Sequence, residues 1–416
     1  MQLPSDVNDL LRELAPRTLA ALTRRYGHFD LAEDAVQEAL LAAATAWPET
    51  MPDNPPAWLA VVATRRLTDL LRSEQARRRR EQTDAVRELP WNQAPSVEQQ
   101  AGGDRDDSLI LLFLCCHPAI SPPSQVALTL RAVGGLTTAE IARALLLPEA
   151  TVTRRITRAK RSIRDAGSRF ELPGQDEWIR RLDVVLHVVY LIFTEGHTAT
   201  AGDDLVRGDL CDEAIRLGRL AQHLLPNEPE VAGLLAQMLL VDARRMARST
   251  LDGQIISLMA QDRQRWDHAT IAEGIALVTD ALQRHRPGPY QLQAAISAVH
   301  AEAATADETD WPQILALYTV LDRLADDPIV TLNRAVALAQ VAGPDEGLAL
   351  LESVASDPRL AGHHRIHSVR AHLLHAAHRP AEAADEYRLA AQLTLSFPER
   401  RYLQAQRARA EAETNR

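Results

Sequence analysis

The chain has 416 residues with 46 Lys+Arg, 56 Asp+Glu and a formal net charge of −10. At about 100–200 residues per domain, that length implies two to four domains. A hydrophobic fraction of 46% and a charged fraction of 25% exclude wholesale disorder, and an aromatic fraction of 4% beside abundant Ala, Leu and Arg favours an all-α fold over β-sandwiches or barrels.

The first residues, MQLPSDVNDLLREL, lack a basic start followed by an apolar stretch, so no secretory leader is expected. No later run reaches the ~18–20 apolar residues of a membrane span, and a cytoplasmic location is expected. Residues 5–47 predict two helices. Leu10, Leu11, Leu14, Leu19 and Leu22 recur at helical spacing, Tyr26-Gly27-His28 makes a break, and Asp30 is placed to cap LAEDAVQEALLAAATAW, with Glu33 in its first turn. Pro48, Pro52, Pro55 and Pro56 forbid helix. A long helix is predicted from Ala57, AWLAVVATRRLTDLLRSEQARRRR, with Trp58, Leu59, Val62, Leu67, Leu70 and Leu71 largely on one face and the arginines elsewhere. Residues 81–106 have weak periodicity and read as a linker.

Residues 107–170 form a second module. SLILLFLCCHP predicts a buried helix ended by Pro118, and PSQVALTLRAV a second, stopped by Gly134-Gly135. The following stretch, LTTAEIARALLLPEATVTRRITRAKRSIR, has the pattern of a helix-turn-helix. Thr137 or Thr138 caps its first helix, Leu147-Pro148-Glu149 makes the turn, and Val152, Ile156, Ala159 and Ile163 form a buried stripe. Thr151, Arg154, Arg155, Arg158 and Arg161 point outward or flank the stripe, as a helix entering a DNA major groove requires. Lys160 is the only lysine of the chain and has no glycine loop before it, which excludes phosphate-loop, kinase and Schiff-base chemistry.

Charge is distributed unevenly. Residues 1–170 carry net +1 and residues 171–416 net −11. Eight arginines fall within residues 55–90, and residues 143–169 carry net +6. Two basic patches separated by an acidic stretch imply two small nucleic-acid modules and a linker. From about 175 the chain reads as acidic helices. DEAIRLGRLAQHLLPNEPE, ILALYTVLDRLADDPIV and AEAADEYRLAAQLTLSFPE each give an amphipathic helix, a proline and a new helix, at a spacing near the ~34 residues of tetratricopeptide repeats.

The motifs AEDAVQEALLAAATAW (32–47), PPAWLAVVATRRLTDLLRSEQARRRR (55–80) and the helix-turn-helix at 136–164 resemble regions two and four of bacterial RNA polymerase sigma factors of the extracytoplasmic-function type. VVYLIFTEGHTAT, QDRQRWD, RPGPYQLQAAISAVHAEA and LNRAVALA resemble the subgroup with a long tetratricopeptide-like C-terminal extension. The resemblance implies region two at 1–80, a linker at 81–106, region four at 107–170 and a helical regulatory domain at 175–412. It implies that Asp34, Gln37 and Glu38 dock on the β′ clamp helices of core RNA polymerase, their i, i+3, i+4 spacing permitting one shared helix face. Trp58, Arg65, Arg66, Arg72, Arg77, Arg78, Arg79 and Arg80 would meet the promoter −10 element. Sigma factors often carry an asparagine early in that helix, where this chain has Arg65 and Arg66. Thr137, Thr138, Glu149, Thr151, Thr153, Arg154, Arg155, Arg158, Lys160 and Arg161 would meet the −35 element.

The implied function is transcription initiation with core polymerase and promoter DNA as partners, with no catalysis, cofactor or metal, and with a regulatory protein as a possible partner of the C-terminal domain. The alternative is a helix-turn-helix regulator that binds an operator and uses its repeat domain as a partner platform. The AEDAVQEAL face and the Arg-rich helix discriminate the two, since an operator binder needs neither. His363, His364, His367, His372, His375 and His378 read as surface or inter-helix histidines rather than a zinc or pH-sensing site. Cys115, Cys116 and Cys211 are too few for a disulfide framework, and Cys115-Cys116-His117 reads as buried core. Asp262, Arg263, Trp266 and Asp267 read as inter-helix polar contacts.

Overall fold

The computed structural model describes residues 5–81, 104–145, 147–167, 170–199, 201–202, 204–250 and 252–414. The chain divides into two compact units at Leu191/Ile192. The expected linker 81–106 falls almost entirely outside the described residues.

The first unit is all helical: α1 (Ser5–Tyr26), α2 (Phe29–Ala46), α3 (Pro55–Glu81), α4 (Asp104–Cys115), α5 (Pro122–Ala132), α6 (Thr138–Ala144), α7 (Glu149–Asp165) and the start of α8 (Gln175–His197). Gly27, at φ +70°, makes the break between α1 and α2. His28, not Asp30, occupies the N-cap of α2 and makes no side-chain cap; Asp30 lies inside the first turn, where a carboxylate favours the helix dipole. Helix α3 starts at Pro55, earlier than the prolines led us to expect, because proline at a first turn sacrifices no intrahelical hydrogen bond. Asn54 Oδ1 accepts from the Ala57 N–H at 3.1 Å. Leu59, Ala63 and Leu67 of α3 are fully buried beside Ala32, Ala35, Val36 and Ala39 of α2.

Thr137 and Glu140 form a reciprocal capping box at α6. The Thr137 N–H donates to Glu140 Oε2 at 2.7 Å, and Glu140 N–H donates to Thr137 Oγ1 at 3.2 Å. In α7 the buried residues are Val152, Ile156, Ala159 and Ile163, the stripe read from the sequence. The start of α8 packs on α4: Trp178 lies 5.0 Å from the Phe113 ring, and Arg181 donates to the Phe113 carbonyl at 2.8 Å. Cys115, Cys116 and Cys211 are buried and free, and burial pushes the Cys116 and Cys211 thiols up to about 12, leaving them unreactive at neutral pH.

The second unit continues as α9 (Gly208–Leu224), α10 (Pro229–Asp242), α11 (His268–Gln283), α12 (Pro289–Glu302), α13 (Trp311–Leu324), α14 (Pro328–Ala342), α15 (Pro344–Glu352), α16 (His364–Ala376), α17 (Pro380–Leu393) and α18 (Phe397–Thr414). Prolines stand in the first turn of α10, α12, α13, α14, α15 and α17, so the punctuation read as helix ends marks helix starts as well. Its hydrophobic clusters succeed one another along the chain: around Trp266 and Val278, then Ile314 and Leu321, then Leu351 and Ile366, then Leu374 and Tyr387. Each helical hairpin therefore packs mainly on its neighbours, as in helical-repeat proteins. Two short parallel strands, β1 (Ala201–Gly202) and β2 (Leu395–Ser396), join the beginning of this unit to its end. Among the described residues no helix is long and apolar enough to cross a membrane.

Helices α10 and α12 touch backbone to backbone. Glu230 accepts from the N–H groups of Tyr290 and Gln291 at 3.0 and 3.1 Å, satisfying donors that the start of α12 leaves open. A Cβ on Gly233 would stand 2.6 Å from the Gln291 nitrogen. Gly233→Ala is therefore expected to destabilise the second unit by about 1–3 kcal/mol through overpacking, read as a lower urea midpoint.

Candidate polymerase and nucleic-acid interface

The residues expected to dock on polymerase lie on α2. Asp34 and Glu38 are one helical turn apart and both exposed, whereas Gln37 is buried and faces the interior of the first unit. The three are not one exposed face: i and i+4 stay outside while i+3 rotates inward, because α2 is apolar around more of its circumference than the polar letters indicated. Glu38 Oε2 forms an ion pair with Arg66 Nε of α3 at 3.4 Å.

Asp34 is drawn into a charge cluster that links α2 to α5 and α7. The neighbouring Glu33 is 1% exposed. Its Oε1 accepts from Arg131 Nε at 2.7 Å and its Oε2 from Lys160 Nζ at 2.9 Å. The same ammonium reaches Asp34 Oδ1 at 2.5 Å, and its side chain is only 11% exposed. Arg164 bridges to Asp30 at 3.2 Å, and Arg24 of α1 to Asp107 of α4 at 2.9 Å. The single lysine is thus enclosed between two carboxylates of the other module rather than turned to solvent.

Electrostatics favour this arrangement unequally. Burial pushes the Glu33 carboxyl up, but Lys160 and then Arg131 overcome it and hold Glu33 below the ordinary carboxylate range. Burial pushes Lys160 down, and Glu33 and Asp34 overcome that, raising it above the usual lysine value. Asp34 ends above its ordinary value: burial outweighs Lys160, and the Glu33 and Asp30 carboxylates add to the rise. One ammonium shared by two carboxylates fully satisfies only the deeper one.

Of the residues assigned to the −10 element, Arg65, Arg66 and Arg72 are exposed. Arg72 pairs loosely with Asp69 at 3.7 Å. Trp58 is half-buried, edge-on to Trp47 at 5.6 Å, so it braces α3 against the end of α2 in this structure. Arg77, Arg78, Arg79 and Arg80 continue α3 in backbone, but their side chains lie outside the described residues. In the helix-turn-helix, Thr153, Arg154, Arg158 and Arg161 are exposed on α7, with Thr151 and Arg155 half-buried and Glu149 exposed at its start. Arg154 donates to Thr151 Oγ1 at 3.1 Å, and Arg161 pairs with Asp165 at 3.3 Å. Thr137 is committed to its capping box, and Thr138 Oγ1 accepts from Arg131 at 2.9 Å. Lys160 departs from the expected DNA-facing set for the reason just given.

Sequence reading missed Glu33, Arg131 and Arg164 as functional positions. The signal available was Lys160 itself, a single lysine among arginines. Its partners lie 126 and 127 residues away, and no local pattern encodes that distance. Three of the six histidines pair with separate carboxylates on α17 and α18: His364 with Glu399 at 3.3 Å, His367 with Glu386 at 2.7 Å and His375 with Glu413 at 2.8 Å, while His363 caps α16 at Arg365 N.

Residues 10–77 match the model of sigma-70 region 2, residues 110–163 that of sigma-70 region 4, and residues 181–282 that of a family of unknown function, DUF6596. An uncharacterised protein of Rhizobium meliloti (strain 1021) is 40% identical over 393 residues, covering 94% of this chain and 92% of its own. The protein is a sigma factor of the extracytoplasmic-function type. It directs RNA polymerase to promoters in transcription initiation, through the two matched modules, and carries a helical-repeat regulatory extension. The sigma factor's helix-turn-helix is α6–α7, and α7 carries the exposed Arg154, Arg158 and Arg161. The clamp on Glu33 joins region two to region four.

Glu33→Gln is expected to weaken the first unit of the factor by about 3–5 kcal/mol, since it leaves buried cations without their charge partner. The pH signs follow from the two shifts. Glu33, depressed in the folded state, contributes stability above its unfolded pKa and loses it as pH falls through the folded value. Lys160, raised, contributes below its unfolded pKa and loses it as pH rises through the folded value. Urea unfolding across pH should show a plateau between those limits and an acid loss that Glu33→Gln diminishes.

Proposed function

We propose that this sigma factor docks on the β′ clamp helices of core polymerase through the Asp34–Glu38 face of α2. Helix α3 meets the −10 element and α7 the −35 element, and in the free protein α7 and α2 are clamped together and must separate. The observation that carries this reading is Lys160 seated between Glu33 and Asp34. A carboxylate bound to α7 is not available to polymerase, and one face of α2 cannot be covered twice. Opening therefore accompanies docking, and the polymerase contacts supply its free energy by binding the open form preferentially. Once released, Lys160 adds a cation to the DNA-facing helix just as that helix is needed.

Within α3, the exposed Arg65, Arg66 and Arg72 suit contacts to a separated strand, where phosphates and unstacked bases are held together. The operator-binding alternative explains α7 but gives no reason for an acidic pair on α2 opposite the region-four lysine. The acidic extension is read as the regulator of this equilibrium, its partner being a protein that engages the helical repeats.

Asp34→Ala combined with Glu38→Ala is expected to abolish co-purification with core polymerase while preserving the far-ultraviolet circular dichroism of the fold. Lys160→Met should do the opposite, tightening core binding several-fold because Asp34 is no longer sequestered. Equal core affinity of Lys160→Met and the natural chain would sink the closed reading, and retained binding by the double variant would sink the docking face. Arg154→Ala and Arg158→Ala, measured on polymerase holoenzyme with promoter DNA, should each lower the salt slope of binding by about one if they hold phosphates. If they hold a guanine, each should cost about 1–3 kcal/mol at a single promoter position.

A further inference from the structure

The second unit contains a group of cations gathered around one indole without carboxylate partners. Trp266 is 4% exposed, and its Nε1–H, a donor with no other role, is buried without an acceptor. The Arg263 guanidinium carbon lies 4.8 Å from the Trp266 ring centroid and that of Arg244 lies 6.0 Å from it. Arg263 spends Nη1 on the carbonyls of His300 and Ala303 and Nη2 on Thr309, while its Nε is buried without an acceptor. The Nδ1 of His300 is likewise buried and unpaired. Among the described residues the Arg244 guanidinium forms no hydrogen bond or ion pair; its contact is the Trp266 ring.

The acids nearby are engaged elsewhere. Asp262 caps its own turn at Gln264 N, Asp267 caps α11 at Ala269 N and Thr270 N, and Asp242 accepts two hydrogen bonds from Arg245. Glu308 is exposed and acts on Arg263 only at a distance. Arg248, a further neighbour of Arg244, donates to the His197 carbonyl and to Thr198. This crowding disfavours the charged forms. Burial and then Arg263 bring Arg244 down to about 10, and burial followed by Arg244 and Arg263 brings His300 down to about 4. Gathered cations and orphaned donors without a counter-charge are what a protein presents to an anion that completes them. Arg244, Arg263 and His300 are each partly exposed, so the group borders solvent although its unpaired atoms are themselves buried.

We propose that Arg244, Arg263, Trp266 and His300 form a binding site for a small oxyanion in the extension. A phosphate group fits better than a carboxylate, because the open donors on two guanidiniums and an indole exceed what two carboxylate oxygens accept well. The site gives the extension a small-molecule input independent of any protein partner.

The test uses the full chain. Inorganic phosphate, acetate and chloride are compared at matched ionic strength, by isothermal titration and by thermal unfolding. Phosphate is expected to bind with measurable heat and raise the melting temperature of the natural chain, acetate to do so less, and chloride not at all. Arg244→Met should melt higher than the natural chain in chloride, having lost a repelled cation, and should lose the phosphate-dependent rise. Trp266→Phe, which removes the indole donor but keeps the ring, should weaken phosphate binding several-fold. Absence of heat and of a phosphate-specific melting shift in the natural chain overturns the proposal without reference to any variant. An equal shift in Arg244→Met also overturns it, placing the anion elsewhere.

Discussion

A single buried carboxylate, Glu33, ties α2 to both α5 and α7 in the first unit. A buried carboxylate opposes folding unless its charge and its lone pairs are both met, and Glu33 achieves this only by drawing on two elements far away in sequence, α5 through Arg131 and α7 through Lys160. The energetic logic of such pairs is asymmetric. The pair is worth modest stability relative to apolar packing, but breaking it from one side is costly. A clamp of that kind specifies an arrangement more than it strengthens it, and it can be released when another cationic or hydrogen-bonding surface replaces the lost partners together. Docking by a larger partner meets this condition more readily than thermal motion does.

The helical plan was legible because it is local. Proline positions, the Thr137-x-x-Glu140 box and the period of Val152, Ile156, Ala159 and Ile163 act within a turn or two of the chain, and the structure follows them. Asp30 shows where local reasoning fails. Its letter fits a cap, yet Gly27 at positive φ sets the helix start two residues earlier, and the carboxylate is used on Arg164 instead. Gln37 fails for a related reason. Spacing of three or four residues identifies a common side of a helix but not how wide the buried arc is, and α2 is wedged between enough neighbours to bury that position. Lys160 was read by the charge of its own helix, whereas its environment is set by helix α2.

The extension obeys different constraints. Its cores are small and sequential, so each hairpin is stabilised by the next, and close contacts such as Gly233 against Gln291 and Gly274 against Leu240 set the spacing. The motif QDRQRWD contributes little to that packing apart from the indole of Trp266, which joins the cluster of Ala236 and Ile271. Its first arginine bonds to the backbone carbonyls of His300 and Ala303, as a reading of inter-helix polar contacts anticipates, whereas its two aspartates depart from that reading and cap their own turns. That reading left out the balance of charge, because the aspartates face the backbone N–H groups of the following turns and so cannot neutralise the guanidiniums beside them.

The choice of lysine at position 160, in a chain that otherwise uses arginine throughout, follows from the shape of the clamp. Glu33 and Asp34 are consecutive residues of one helix, so their carboxylates diverge, one inward and one outward, and they do not present the parallel pair of oxygens that a planar guanidinium matches. An ammonium donates in three directions from a single atom and can serve two diverging carboxylates at once, as Nζ does at 2.9 and 2.5 Å. Arg131, approaching Glu33 alone with its Nε and turning Nη1 to Thr138, shows the guanidinium's preference for partners spread along its own plane. Arginine at 160 would have to commit its fork to one carboxylate and leave the other to solvent or to burial without a partner. Asp34, the more exposed of the two, is the one it would release, and this is the residue on which docking is proposed to depend. The lysine therefore couples the buried acid that fixes the arrangement to the surface acid that has to be freed, through one atom.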